Sequence, residues 1–168
     1  AFVDNCVIDA DALTSFENNP DELFVDTYPH TIFTPHEGEF RRLFGDNIAS
    51  MNDKVLKCVE ASKIAGSIVL LKGSDTVIAN PKGEVVINFS KAPYLATAGS
   101  GDVLAGIIAS LVGKNKMNSF DAACAGAWIH SKLGEYLGPG LIAEDLVDNI
   151  PYIIKKLANY EIEKCTLD

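Results

Sequence analysis

Apolar positions along the chain fall into two kinds of run. Short, unbroken apolar stretches bounded by polar or turn residues occur at 7–9, 31–33 and 67–72, the pattern of strands buried on both faces. Between them the apolar positions spread to helical spacing. At 53–65, Val55, Val59 and Ile64 are expected on one side of a helix that Gly66 closes. Thr34-Pro35-His36-Glu37 predicts another helix start, with Thr34 as N-cap, Pro35 in the first turn, Glu37 closing a capping box and Gly45 at the far end. Residues 10–30 read as helix or loop with a break at Asn18-Asn19-Pro20. Residues 76–79 and 84–87, joined by Asn80-Pro81-Lys82-Gly83, read as a β-hairpin. The second half is helical. One helix opens at Thr97-Ala98-Gly99-Ser100-Gly101-Asp102 and runs to about Leu111. A second, Ala-rich helix is capped by Asn118 or Ser119 and ends near Leu137, and a third begins at Ala143 with a kink expected at Pro151. Strands alternating with helices predict an α/β domain, a largely parallel sheet covered by helices on both faces.

Length and composition narrow this picture. The 168 residues and 18.0 kDa suit one domain, and neither repeat nor linker divides residues 1–168. With 48% hydrophobic and 22% charged residues the chain carries enough apolar surface to fold. A net charge of −9 and a pI near 4.7 argue against a binder of duplex nucleic acid, which presents a basic face. Small anionic ligands stay open, because a helix end and one lysine hold a phosphate locally. Cys6, Cys58, Cys124 and Cys165 form no CxxC pair and read as reduced structural thiols. No charged n-region precedes an apolar core, and the longest apolar run, 103–112, is about half a membrane span. A soluble, cytoplasmic protein is expected. The chain enters a strand almost at its first residue, which suggests a piece of something longer.

Parallel sheets bind ligands at the carboxyl ends of their strands. Polar groups collect there after three predicted strands: Asp9 and Asp11, then Thr34 to Glu39, then Lys72-Gly73. The segment around Gly99-Ser100-Gly101 allows close backbone approach, and the helix behind it aims free N–H groups and a positive dipole end at an anion. It is neither a Walker loop nor a dinucleotide fingerprint, since GxxxxGK[ST] is absent and Leu104 replaces the third glycine of GxGxxG. Asp102, in the first turn of that helix, is either a dipole-stabilising carboxylate or a base for a hydroxyl under phosphoryl attack. Asp9 and Asp11 serve a phosphate-bound Mg²⁺ or cap the following segment, and both readings are open. Lys72 ends an apolar strand and either snorkels or meets a nucleotide phosphate, with Gly73 and Thr76 beside it. His30, His36 and His130 have no ligand spacing, so a protein-only metal site is not expected. Trp128 and His130, among Ala122, Ala123, Gly126 and Ala127, read as the core face of a close-packed helix.

Taken together, Val7-Ile8-Asp9-Ala10-Asp11, Thr34-Pro35-His36-Glu37-Gly38-Glu39, Leu71-Lys72-Gly73 and Ala98-Gly99-Ser100-Gly101-Asp102-Val103-Leu104 resemble, in order and spacing, the ADP- or ATP-dependent NAD(P)H-hydrate dehydratases. The resemblance implies a three-layer αβα, ribokinase-like fold whose N-terminal part this chain lacks. It implies a reaction in which a nucleotide, typically ADP with Mg²⁺, phosphorylates the hydroxyl of hydrated NADH or NADPH before phosphate is eliminated. On this resemblance Asp102 is the catalytic base and Ala98, Gly99, Ser100 and Gly101 form the anion hole. Lys72, Gly73, Thr76, Leu95, Ala96 and Thr97 then belong to the nucleotide site, and His36, Glu37 and Glu39 face the hydrated dinucleotide. Members usually carry a Gly-Asn pair near the position of Lys91-Ala92. The resemblance further implies association with the absent portion or with copies of the chain. A small-molecule kinase of the same superfold and a non-catalytic nucleotide-binding module are the competing functional readings.

Overall fold

The computed structural model describes residues 5–165. Strands β1 (Val7–Ile8), β2 (Ile32–Phe33), β3 (Ile68–Leu71), β4 (Asp75–Ala79) and β5 (Val85–Phe89) lie side by side in chain order. β1, β2 and β3 are parallel, whereas β4 and β5 run antiparallel to their predecessors. The expected hairpin therefore joins the sheet, which is mixed, with its parallel half first. The reason is length. Only Lys72, Gly73 and Ser74 separate β3 from β4, far too few for the crossover that a parallel neighbour requires.

Helices α1 (Asp11–Thr14), α2 (Pro20–Val25), α3 (Glu37–Ala49) and α4 (Lys54–Ala65) share one core with the sheet. Helices α5 (Ser100–Gly113) and α6 (Ser119–Leu137) share another. The pleat of β3 divides its side chains between the two: Val69 and Leu71 meet Phe40, Leu43, Cys58 and Ala61, while Ile68 and Leu70 meet Leu104, Ile108, Ala123 and Ala127. All of β3 is buried, so its sequence reads as a continuous apolar run rather than an alternating one. α7 (Ala143–Cys165) lies outside this three-layer body, against α5 and α6 through Leu146 and Ile153, and continues through Pro151 as one element.

Three local expectations need correction. α4 turns Cys58, Ala61, Ser62 and Ala65 toward the sheet, and Ile64 is 49% exposed. Small residues at this spacing let the helix approach closely, and one position along a helix is about a 100° turn away from that stripe. Trp128 is a surface residue of α6, although its neighbours Ala127 and Ile129 are buried. The cap of α3 starts two residues later than expected, at His36.

α5 and α6 touch at Gly126, where an added Cβ would stand 2.5 Å from Cγ1 of the fully buried Ile108. Gly106, on the exposed side of α5, has nothing within 4 Å of the same position. The general gain from Gly→Ala in a helix is about 1 kcal/mol, against about 1–3 kcal/mol for overpacking a core. Denaturant unfolding should therefore show Gly106→Ala stabilising the chain by about 0.5–1 kcal/mol and Gly126→Ala destabilising it. Equal stabilisation by both would contradict the close contact.

Candidate active site

The carboxyl ends of β1, β2 and β3 open onto the same side as the start of α5, and there the sequence motifs meet. Thr34 does not cap α3. It is fully buried, its hydroxyl donates to the Ile8 carbonyl at 3.4 Å, and the Pro35 carbonyl accepts the Lys72 N–H at 2.9 Å. These bonds hold residues 34–35 extended between the neighbouring strands, so the helix starts two residues later. His36 is the N-cap. Its Nδ1 accepts the N–H groups of Gly38 at 2.9 Å and Glu39 at 3.2 Å, and Glu39 Oε2 accepts the His36 N–H at 2.8 Å. This is a capping box with histidine in the place usually taken by Ser, Thr, Asp or Asn. Because Nδ1 accepts, the neutral ring carries its proton on Nε2, which lies 3.2 Å from Glu39 Oε1. His36 and Glu39, rather than the expected Thr34 and Glu37, are the two halves of the box. Gly45 breaks the helix as expected, with φ 76° and ψ 168° inside α3.

Glu39 also faces Lys72. The Lys72 Nζ donates to Asp9 Oδ1 at 2.8 Å and lies 3.8 Å from Glu39 Oε2. A Cβ on Gly101 would stand 3.4 Å from the same Nζ and 3.7 Å from Asp9 Oδ2. The ammonium and the Asp9 carboxylate thus both lie directly against the first turn of α5. Lys72 is a bound cation rather than a snorkelling one. Asp9 is engaged by Lys72 through Oδ1 and does not cap α1, while Asp11 is exposed at the first position of α1.

Gly99 precedes α5 with φ 80°, a left-handed conformation that admits glycine readily. The Ser100 N–H is bonded to Thr97 O at 3.3 Å and the Val103 N–H to Gly99 O at 3.2 Å. The amides of Gly101 and Asp102 stand between them in the first turn, where helical N–H groups have no intrahelical acceptor. Asp102 is exposed there. Behind them, His130 of α6 lies with Nε2 2.9 Å from Ser100 Oγ and 3.0 Å from the Ser100 carbonyl oxygen.

A cavity of about 800 Å³ adjoins this arrangement. His36, Glu37, Lys72, Gly73, Thr76, Leu95, Ala96, Thr97 and Ser100 contribute to its wall. Ala98 and Gly99 are exposed and lie outside that lining, as do Asp9, Asp11, Gly101 and Asp102. Glu37 is tied to the buried Lys57 at 2.8 Å. Lys54 braces the β3–β4 turn by donating to the Asp75 backbone carbonyl, and its Nζ lies 3.2 Å from the Asp75 carboxylate. Burial pushes the Asp75 carboxyl up, but its bond to Lys54 and the Lys54 charge outweigh this and hold it low. Lys54, Lys57, Ser90 and Ser131 were not singled out in the sequence, and His130 was read there only as core; Ser90, His130 and Ser131 line the cavity.

Burial drives His130 down to about 4, with the nearby Lys72 charge acting the same way and the Ser100 carbonyl opposing them. A histidine held neutral in the fold stabilises it fully above its unfolded value of 6.5, and the stabilisation is lost as pH falls from there toward 4. Unfolding free energy should fall by about 2 kcal/mol between pH 7 and pH 5. Denaturant titrations at the two pH values should show this loss reduced in His130→Gln. An equal loss in both proteins would contradict the buried neutral imidazole.

The model of the NAD(P)H-hydrate dehydratase family matches residues 1–156. The chain is 40% identical over 159 residues to the bifunctional NAD(P)H-hydrate repair enzyme Nnr of Moorella thermoacetica, covering 90% of this chain and 29% of that protein. It is 39% identical over 133 residues to the ADP-dependent (S)-NAD(P)H-hydrate dehydratase of Neisseria meningitidis serogroup B, covering 78% of this chain and 45% of that one. Among solved structures, the ADP/ATP-dependent NAD(P)H-hydrate dehydratase of Bacillus subtilis, co-crystallised with ATP/Mg²⁺, matches with a TM-score of 0.68 and 27% identity over 75% of this chain and 48% of that one. A ribokinase-like superfamily protein of Enterococcus faecalis matches with a TM-score of 0.75 and 26% identity over 89% of this chain and 52% of that one. The chain therefore spans less than half of these two curated relatives and about half of these two solved chains. With the family model matching nearly its whole length and the fold of a ribokinase-like protein, the chain belongs to the NAD(P)H-hydrate dehydratase family.

Proposed function

We propose that this chain supplies the phosphoryl-transfer half of an ADP-dependent dehydratase acting on hydrated NADH or NADPH. The observation that carries this reading is the placement of the Lys72 ammonium against Gly101 at the start of α5, beside an 800 Å³ cavity. Family membership and the nucleotide-dependent relatives point the same way. A helix start and a lysine together offer a fixed positive potential to the phosphoryl group as it carries charge between leaving and attacking oxygens.

In this reading the substrate hydroxyl oxygen attacks the terminal phosphorus of ADP, the bond from that phosphorus to the bridging oxygen breaks, and AMP leaves. Asp102 takes the hydroxyl proton. It stands free of Lys72, which Asp9 and Glu39 already neutralise in part. Phosphate then departs from the ring carbon while the neighbouring carbon loses a proton, which restores the reduced nicotinamide. Gly73, Thr76, Leu95, Ala96 and Thr97, all lining the cavity, are assigned to the nucleotide, and His36 and Glu37, which line it too, to the dinucleotide. Since the His36 ring nitrogens serve the cap and Glu39, the ring meets the dinucleotide mainly through its exposed face. Glu39 is buried and acts through His36.

Mg²⁺ enters as the counter-ion of the nucleotide phosphates, whose charge it offsets. Among the described residues no group of three or more His, Cys, Asp and Glu side chains is placed to hold a metal ion. Asp9, the nearer carboxylate, is committed to Lys72, so no step is assigned to a protein-bound metal. Among the same residues no helix is long and apolar enough to cross a membrane.

Incubated with hydrated NADH, ADP and Mg²⁺, the chain should restore the reduced-nicotinamide absorbance band with release of phosphate and AMP. Accumulation of a stable phosphorylated product would make it a kinase instead. Asp102→Asn should lower turnover by about 10²–10⁴-fold while leaving the Kd for ADP within about threefold, the signature of a lost general base. Unchanged turnover in that variant would remove Asp102 from the chemistry.

A further inference from the structure

The Ser100 hydroxyl and carbonyl both meet one nitrogen of His130. A carbonyl oxygen only accepts, so the 3.0 Å contact between His130 Nε2 and the Ser100 carbonyl is a hydrogen bond when the proton of the neutral imidazole sits on Nε2. Ser100 Oγ, 2.9 Å from the same Nε2, then accepts a share of that N–H. Its own O–H is left over. With the ring proton on Nε2, no other acceptor for it is found among the described residues, although Ser100 is only 3% exposed. A buried hydroxyl proton without an acceptor is costly unless a ligand supplies one. Ser100 lines the cavity and precedes Gly101 and Asp102, whose amides open the same helix.

We propose that the Ser100 hydroxyl donates to the terminal phosphate of the bound nucleotide, as a third donor beside the Gly101 and Asp102 amides, and that His130 is the positioning residue that keeps its proton aimed at the cavity. This rests on the nucleotide reading above and adds a side-chain donor to a site otherwise made of backbone. His130 never touches phosphate. By taking the Ser100 carbonyl and one lone pair of its Oγ, it prevents the hydroxyl from turning back to bond the imidazole. Burial keeps the ring neutral, so the single N–H it carries stays on this task.

Calorimetric titration of the 168-residue chain with ADP and, separately, AMP in Mg²⁺ buffer tests the assignment, because the two ligands differ only in the terminal phosphate. Ser100→Ala should weaken ADP about 10-fold and leave AMP within about twofold, the loss of one hydrogen bond to a charged group. His130→Leu should weaken ADP about fivefold in the parent chain and not at all in the Ser100→Ala chain. His130→Gln places an amide N–H near the position of Nε2 and should recover most of that loss. Nitrogen-15 spectra should show His130 protonated at Nε2 and bare at Nδ1. The proposal is overturned if Ser100→Ala binds ADP like the parent, if both ligands weaken equally, if the His130→Leu loss persists without Ser100, or if the proton sits on Nδ1. A parent chain that binds ADP no better than AMP would instead remove the phosphate site at α5 itself, and this assignment with it.

Discussion

One lysine ties the site together. Lys72 leaves the end of β3, meets Asp9 from the end of β1 at 2.8 Å and Glu39 from α3 at 3.8 Å, and lies against Gly101 of α5. Four elements far apart in sequence are thereby registered to one ammonium. The arrangement is electrostatically matched: the Asp9 and Glu39 carboxylates offset the cost of burying the cation, and they offset its repulsion from the positive end of α5, which Asp9 also faces. An incoming phosphate supplies negative charge where α5 and Lys72 both present positive potential.

The secondary structure and the fold class were legible because they are local. β3 is an unbroken apolar run, Asp53 caps α4 through Val55 and Leu56, and Gly66 closes it in a left-handed conformation. Asn118 caps α6 through Phe120. The mixed character of the sheet was legible too, in the hairpin, once the three-residue link from β3 is weighed against the reach of a crossover. The cap of α3 was misplaced by two residues because histidine seldom caps. Its signal was Glu39, three positions after His36, and the competing use of Thr34 lies across the sheet at Ile8.

What stayed hidden is long-range. The Asp9–Lys72 pair spans 63 residues and the Ser100–His130 pair 30, and no periodicity within a helix or strand connects them. Composition placed His130 correctly inside α6, among small residues, yet not its contact with Ser100. A histidine on a close-packed face has two possible reasons to be there, filling space or making a bond, and only the facing element decides. Lys54 and Lys57 are similar. Nothing in their spacing marks them, but they hold Asp75 and Glu37 at the edge of the cavity.

The central claim is that the start of α5, with Lys72 against it, receives the phosphoryl group that moves. A crystal structure of the chain grown with ADP and Mg²⁺ tests this most directly. The terminal phosphate should lie within hydrogen-bond distance of the Gly101 and Asp102 amides, with Lys72 Nζ on the same side. A nucleotide bound with that phosphate elsewhere, and with the amides of α5 still open, would contradict it.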